Sequence, residues 1–264
     1  MTDPTDPADV PIRPAATVMT VRDAADGIEV FILQRTVAAA FAGGMYVYPG
    51  GKVDDADGAA AIEPFCDGLT DAVASERLGI ERGGLSYWVA AVRECFEESG
   101  ILLARTRAGG VLDVRDEERH AVHEGDLAMV DLCRRHELVL DLSTTEYAAH
   151  WITPIGERRR FDTRFFVTEV PSDQAGSHDD KETTASRWVR PVDALAMVES
   201  EELMMLPPTI STMRFLAEHA TAAEAVAAAA ALGEIPAILP KLRHDADGSV
   251  IGVAMPGDAD YDTL

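Results

Sequence analysis

Apolar and polar residues alternate along this chain in two rhythms, short continuous apolar runs and helical spacings. Runs at 15–21 and 28–35 read as two strands, and Asp26-Gly27 between them is a hairpin signal. A loop over 36–44 ends in Gly43-Gly44. It leads to a short apolar strand at 45–48, which Pro49-Gly50-Gly51 breaks. Residues 59–85 carry weaker patterning, with one helix predicted over 70–78. From 86 to 99 the period becomes helical: Trp88, Ala91, Val92, Cys95 and Phe96 fall on one side, Glu94, Glu97 and Glu98 on the other. Further strands are predicted at 101–104, 148–153, 163–170 and 183–189. A polar amphipathic helical region covers 116–136, and a polar loop over 171–182 holds His178, Asp179, Asp180 and Glu182. Pro191 opens a helix to about 199, and Pro207-Pro208 opens a longer one to about 232 with an alanine-rich second half. That half is read as helix propensity plus close packing. Residues 240–264 form a hairpin and tail, turning at Asp247-Gly248. Strands and helices mixed without regular alternation predict an α/β (α+β) fold, a mixed β-sheet between helices.

The acidic helix is where chemistry concentrates. Its three glutamates sit at i, i+3 and i+4, where like charges cost roughly 0.2–0.5 kcal/mol per i,i+4 pair. A cation among them would remove that cost, and hard cations such as Mg²⁺ take oxygen ligands. The alternative is a solvated acidic face. Gly100 stands where helices stop in the left-handed conformation. Asp54, Asp55 and Asp57 with Gly58 invite an EF-hand reading, but counting Gly58 as the sixth position puts Val53 first and Pro64 last, where Asp and Glu are required. His120 and His123 have the spacing of a metal pair, yet the charge density around them favours a solvent-facing pair.

Composition narrows the partners. A net charge of −23 and a pI near 4.5 argue against sequence-independent binding of nucleic acid, which needs a basic surface, and against docking on anionic membranes. A small phosphate ester stays compatible, because local arginines and a metal can reverse the field in one cleft. Three cysteines without CxxC spacing suggest neither a disulfide framework nor a zinc site. The N-terminal residues show no basic segment with an apolar run, and no apolar stretch is long enough to span a bilayer, so a cytoplasmic location is expected. A homodimer is left open.

The run Arg93-Glu94-Cys95-Phe96-Glu97-Glu98-Ser99-Gly100-Ile101, with Gly51 ahead of it, resembles the Nudix hydrolase motif, Gly-x5-Glu-x7-Arg-Glu-U-x-Glu-Glu-x-Gly-U with U bulky and apolar. Two departures stand out. Asp57 replaces the first Glu, and residues 58–92 separate it from Arg93 where the motif has a short spacer. An interrupted box of this kind resembles the coenzyme A diphosphatase branch. So do residues 31–35 with Arg35, Pro49-Gly50-Gly51 followed by Asp54 and Asp57, residues 151–154, residues 160–166, Glu182 ahead of Trp188, and Leu206-Pro-Pro-Thr209.

The resemblance implies a Nudix-like αβα sandwich with an extra C-terminal helix, spanning 15–235 with an insertion at 58–85. Residues 1–14 would be a disordered tail and 236–264 a peripheral extension. It implies Mg²⁺- or Mn²⁺-dependent hydrolysis of a diphosphate bond in a nucleoside diphosphate derivative. Coenzyme A or acyl-CoA, giving 3′,5′-ADP and (acyl-)4′-phosphopantetheine, is the first choice. ADP-ribose, NADH or a dinucleotide is the alternative substrate, and a non-catalytic regulatory Nudix-fold protein is the alternative from another class. Glu94, Glu97, Glu98 and the Gly51 carbonyl would hold metal, and one of Glu97 and Glu98 would also deprotonate water. Arg93 would pair with Glu97, Glu182 would be a distant candidate base, and Arg35, Arg160 and Arg164 would contact phosphate. The insertion leaves the role of Asp57 in doubt.

Overall fold

The computed structural model describes residues 9–39, 42–108, 114–170, 174–179 and 182–264. The first two strands, β1 (Ile12–Ala24) and β2 (Gly27–Arg35), form the predicted hairpin, with Ala24 opposite Gly27. Gly27 has φ of 114°, a conformation that favours glycine. β1 begins ahead of the expected position because Ile12–Pro14 pair in parallel with Arg160–Asp162. The tail expected over 1–14 is therefore shorter, and its residues 1–8 lie outside the described residues. β3 (Tyr46–Val47) and β4 (Gly50–Lys52) follow, then 3₁₀ turns at Asp55–Gly58 and Glu63–Phe65, β5 (Cys66–Asp67) and α1 (Asp71–Leu78). α2 (Leu85–Ser99) is the acidic helix, and Gly100 ends it at φ 70°.

Beyond it come β6 (Ala104–Thr106), α3 (Asp116–His123), α4 (Met129–His136), β7 (Leu138–Asp141), β8 (Thr145–Ile152), β9 (Arg160–Glu169) and β10 (Thr183–Val189). The helical region expected over 116–136 is broken at Gly125, φ 76°. Of the loop expected over 171–182, residues 171–173 and Asp180 with Lys181 lie outside the described residues. α5 (Pro191–Glu199), α6 (Pro207–Ala217) and α7 (Ala222–Ala230) close the domain, and β11 (Lys241–His244) with β12 (Val250–Ala254) form the C-terminal hairpin. The single helix expected over 207–232 is two helices. Thr221 caps the second by accepting from Glu224 N at 3.2 Å, and the Thr-x-x-Glu spacing is the sequence signature of such a start.

The main sheet runs β10-β2-β1-β9-β8, with β3 on β2 and β4 on β1. Among the described residues only the β1–β9 strand pair in it is parallel. One face of the sheet buries Val18, Phe31, Leu33 and Phe166 against Trp88 and Phe96 of α2. The other buries Met19, Val30, Ile32 and Val167 against Met213, Leu216, Ala225 and Ala229 of α6 and α7. Buried on both faces, the central strands read as apolar runs rather than alternations. The result is the expected αβα sandwich. The small residues Ala222, Ala225 and Ala229 bring α7 close to β8 and β9, which is the packing predicted for the alanine-rich segment. Among the described residues no helix is long and apolar enough to cross a membrane.

The segment 58–85, expected as an insertion, contributes β5 and α1. β5 joins β7 and β6 in a separate three-stranded sheet. Asp71 then draws the ends of the insert together, its carboxylate accepting from Gly83 N at 3.1 Å and from Leu85 N, the first residue of α2, at 3.0 Å.

Candidate active site

The acidic stripe of α2 is not a solvated face. Arg93, Glu97 and Glu98 expose only 9%, 8% and 3% of their surface. Two neighbours account for this. The β3–β4 turn lies across the stripe: Gly50 N donates to Glu98 Oε2 at 2.9 Å, and Gly51 passes so close to Glu94 that a Cβ at 51 would collide with its carboxylate. Glycine at 51 lets the backbone run against that carboxylate without room for a side chain. The second neighbour is the 3₁₀ turn at Asp55–Gly58, which brings in Asp57, itself 1% exposed.

Arg93 organises the cluster. Its guanidinium pairs with Asp57 in a fork, Nε to Oδ1 and Nη2 to Oδ2, each at 2.9 Å. Nη2 also donates to the Lys52 carbonyl at 2.8 Å, while Nη1 reaches Glu94 Oε1 at 2.9 Å and Glu97 Oε1 at 3.1 Å. The expected Arg93–Glu97 pair is present, but Asp57 is the bidentate partner. Asp57 is held in turn by Asp54 N, which donates to its Oδ2 at 2.9 Å, as part of a capping box. Planar fork-to-carboxylate pairing fixes orientation as well as distance. Through Arg93 the turn, strand β4 and two glutamates are set relative to one another.

The electrostatics follow from burial. Burial pushes the Glu94 carboxyl up to about 7, Arg93 pulls it back, and Glu97 adds repulsion. Burial, then repulsion from Glu94, holds Glu98 well above the ordinary range, although the Gly50 N–H and Arg35 oppose this. Glu97 is raised by burial with Arg93 opposing. For Arg93 itself, burial would lower the pKa. The Asp57 hydrogen bonds and the charges of Glu94, Asp57 and Glu97 outweigh it, so the guanidinium stays charged. Three neighbouring carboxylates resist ionisation together, and a dication would relieve them.

The donor set, carboxylate oxygens with the Gly50-Gly51 backbone alongside, is that of a hard divalent cation. As the side chains stand, no three His, Cys, Asp or Glu among the described residues converge as a metal cluster. Arg93, Arg35 and Gly50 N instead share the carboxylates between them. The residues fit a metal in chemistry and burial, with hydrogen-bonded oxygens that a metal would compete for.

This stripe forms one end of a cleft of about 550 Å³. Arg35 lines it and bridges two acids, Nη1 at 3.8 Å from Glu98 Oε1 and Nη2 at 3.3 Å from Glu182 Oε2, so Glu182 reaches the same end from the loop before β10. Arg160 and Arg164 do not join them. Along β9 it is Phe161, Thr163 and Phe165 that line the cleft, so strand alternation turns the even-numbered residues to the opposite face. Arg160 is buried and donates through Nε to the Thr153 carbonyl at 3.1 Å. Buried Arg164 lies 3.2 Å from Asp162, with its guanidinium 5.8 Å from the Tyr87 ring centre. The cations that do line the cleft besides Arg35 and Arg93 are Lys52 and Arg159, neither singled out by the sequence. His123 lines it as well; its Nδ1, 3.8 Å from Glu97 Oε2, has no hydrogen-bond partner among the described residues, whereas His120 is exposed. The solvent-facing pair expected from sequence is thus divided between cleft and surface. Trp151, Pro154, Leu206, Pro207 and the C-terminal hairpin line it away from α2, with Glu157 and Arg159 of the β8–β9 loop beside the hairpin.

Comparison with known proteins agrees with this geometry. The family model for the NUDT19 Nudix domain matches residues 71–216, more than half of the chain. The acyl-coenzyme A diphosphatase NUDT19 of Gallus gallus is 29% identical over 224 residues, covering 68% of this chain and 58% of that protein. The Homo sapiens protein of the same description is 26% identical over 280 residues, covering 90% and 73%. The chain thus spans little more than half the length of the chicken relative. A crystal structure of a Nudix hydrolase from Alicyclobacillus acidocaldarius superposes with a TM-score of 0.71 at 27% identity, over 83% of this chain and 97% of that one.

Proposed function

The chain belongs to the Nudix hydrolases, in the family described by the NUDT19 Nudix domain, and from that premise we propose that it hydrolyses the diphosphate bond of coenzyme A or acyl-CoA to 3′,5′-ADP and (acyl-)4′-phosphopantetheine. The observation that carries the reading is the division of one cleft. A buried carboxylate stripe with Arg35 and Lys52 lines one part of it, and an apolar wall with Arg159 beside it lines another. A substrate with a nucleoside diphosphate and a long neutral arm matches both ends at once. The relatives named acyl-coenzyme A diphosphatase support the same choice.

In this reading Glu94, Glu97, Glu98 and the Gly51 carbonyl would hold Mg²⁺ or Mn²⁺. Such a cation would supply charge neutralisation for the diphosphate and a more acidic water molecule. The chain's own residues do the rest. Arg93, locked by Asp57, fixes Glu94 and Glu97 so that the carboxylates need no reorganisation when substrate arrives. Glu97 or Glu98 takes the proton of the attacking water, with Glu182 the distant candidate for that task. Arg35, Lys52 and Arg159 bind the phosphate oxygens, Arg35 being the one already aimed between two acids. Arg160 and Arg164 support the sheet instead.

A panel of coenzyme A, decanoyl-CoA, ADP-ribose and NADH with Mg²⁺ and with Mn²⁺, read by product identity, tests this. The expected result is 3′,5′-ADP from both coenzyme A substrates. Inert coenzyme A with turnover of ADP-ribose would overturn the substrate and leave the diphosphatase. No turnover of any member would overturn the enzyme reading.

A further inference from the structure

The C-terminal extension, peripheral in the sequence, is built into the cleft. Its first residues are fastened to the edge of the main sheet: Ile152 N donates to the Ile238 carbonyl and Ile238 N to the His150 carbonyl, both at 2.9 Å, beside Trp151. Pro240 then leads into the hairpin. In β11–β12, Leu242 and Val253 are cross-strand partners, so their side chains share one face, and both line the cleft. Leu242 seats on the β8–β9 loop at Gly156, where a Cβ would come within 2.8 Å of Leu242 Cδ1 and where φ is 105°. That same loop carries Arg159 into the cleft.

The hairpin is held in this pose from behind. On β11, Arg243 donates to Asp258 at 2.7 Å and to Asp260 at 2.7 and 2.8 Å. Lys241 Nζ donates to the Tyr261 carbonyl at 2.8 Å, and the Tyr261 hydroxyl donates to the Leu239 carbonyl at 2.7 Å. A hairpin of two short strands is marginal alone. Here the tail ties one side and the cleft wall meets the other. Leu242 and Val253 are only partly buried. An apolar track therefore runs through the cleft from Trp151 and Phe161 to Leu242 and Val253. Water gains nothing from contact with such a track, and a long neutral chain does.

We propose that the hairpin β11–β12 forms an apolar subsite for the acyl-pantetheine arm of the substrate and thereby sets a preference for acyl-CoA over free coenzyme A. The proposal rests on the coenzyme A reading and adds what that reading lacks, a place for the acyl chain. The segment lies beyond residue 216, outside the part of the chain matched by the family.

The test is the double substitution Leu242→Ser with Val253→Ser in the full chain. Two ratios are read, kcat/KM for decanoyl-CoA over that for free coenzyme A, and, in EDTA, the calorimetric Kd of the same two compounds. Both preferences are expected to fall about tenfold, mainly through KM, since a few methylenes in an apolar site are worth that much. Val253→Thr keeps the side-chain shape while adding a hydroxyl. It is expected to lower the ratios about threefold if the double variant is too unstable to assay. Ratios that do not move, or a loss shared equally by both compounds, would overturn the subsite. Should neither compound be hydrolysed, the coenzyme A reading fails by itself. The binding ratio still decides the subsite, upheld if decanoyl-CoA binds better than coenzyme A and the variant abolishes the difference, overturned otherwise.

Discussion

The two ends of the cleft are built on opposite principles. At the α2 end, Asp57, Glu94, Glu97 and Glu98 crowd around Arg93 and Arg35, and nearly all are buried. Each charge is tolerable only because another is within about 3–4 Å, so removing one exposes the rest to an uncompensated low-dielectric site. At the hairpin end Leu242 and Val253 are only partly buried, and Glu157 and Arg159 of the β8–β9 loop stand beside them without a buried cluster of acids. Apolar packing of this kind tolerates exchange of one small group for another. The first end is suited to chemistry that must not move, the second to a ligand of variable length. This contrast makes opposed predictions for substitutions at the two ends.

The largest effect is expected at Glu97. Glu97→Gln keeps the size and the Arg93 contact but removes a carboxylate charge that, in the proposed reading, would help hold a dication. Turnover should fall on the order of a thousandfold, as for loss of a main electrostatic stabiliser, while chemical denaturation shows little loss of stability. Steady-state rates across the substrate panel check this. Metal-dependent turnover that survives Glu97→Gln would place the chemistry elsewhere and dissolve the contrast between the two ends.

Asp57 comes next, with the opposite signature of a stability loss. Asp57→Ala removes the bidentate partner of a buried guanidinium, which keeps Glu94, Glu97, the Lys52 carbonyl and, at 3.7 Å, Asp54. Breaking a buried pair from one side costs about 3–5 kcal/mol, and the lower end applies because those contacts remain. The denaturant midpoint measures it. A stability unchanged by Asp57→Ala would mean the clamp is ornamental and Arg93 is held by the glutamates alone. Leu242→Ser with Val253→Ser, at the other end, should shift substrate preference without a loss of this size.

Asp57 also shows where the sequence was legible and where it was not. Residues 93–101 could be read directly, because a helix converts spacing into a shared face and the order of residue types was complete. The αβα architecture was legible for the same reason, from strand runs and helix periods. The partner of Arg93 was not, because residues 58–92 lie between. Local spacing carries no information across an insert whose ends are joined by Asp71. The one local hint was Asp54-x-x-Asp57, a capping arrangement that looked like a metal loop. Arg160 and Arg164 were misplaced by one residue of strand register. A side chain at an even position faces away from the cleft that Phe161, Thr163 and Phe165 line, and a strand run buried on both faces gives no sign of which parity is which. Arg159, in the loop, escaped notice because loops carry no period at all. The hairpin was predicted, but its docking on the β8–β9 loop is a contact between segments some eighty residues apart and has no local signature.

The smallest expected effect is a pH dependence confined to the charged end. Folding carries the Glu94 carboxyl from its ordinary 4.5 up to about 7, chiefly through burial. A raised carboxylate pKa means that the folded state binds the proton more tightly than the unfolded state. The contribution is fully favourable below the ordinary value and is lost as pH rises toward 7. In EDTA the protein should therefore lose about 2 kcal/mol between pH 5 and pH 7 on account of Glu94, since each tenfold difference in proton affinity between the two states is worth about 1.4 kcal/mol. Net charge adds a general slope of the same sign, so the readout is the difference from Glu94→Gln, whose melting temperature should fall less over the same interval. Mg²⁺ or Mn²⁺ at pH 7 should restore the wild-type melting temperature and leave Glu94→Gln nearly unmoved. The Leu242–Val253 pair holds no titrating group, so the double serine variant should keep the full wild-type slope. A variant at the hairpin that flattened it would show that the two ends are coupled rather than independent.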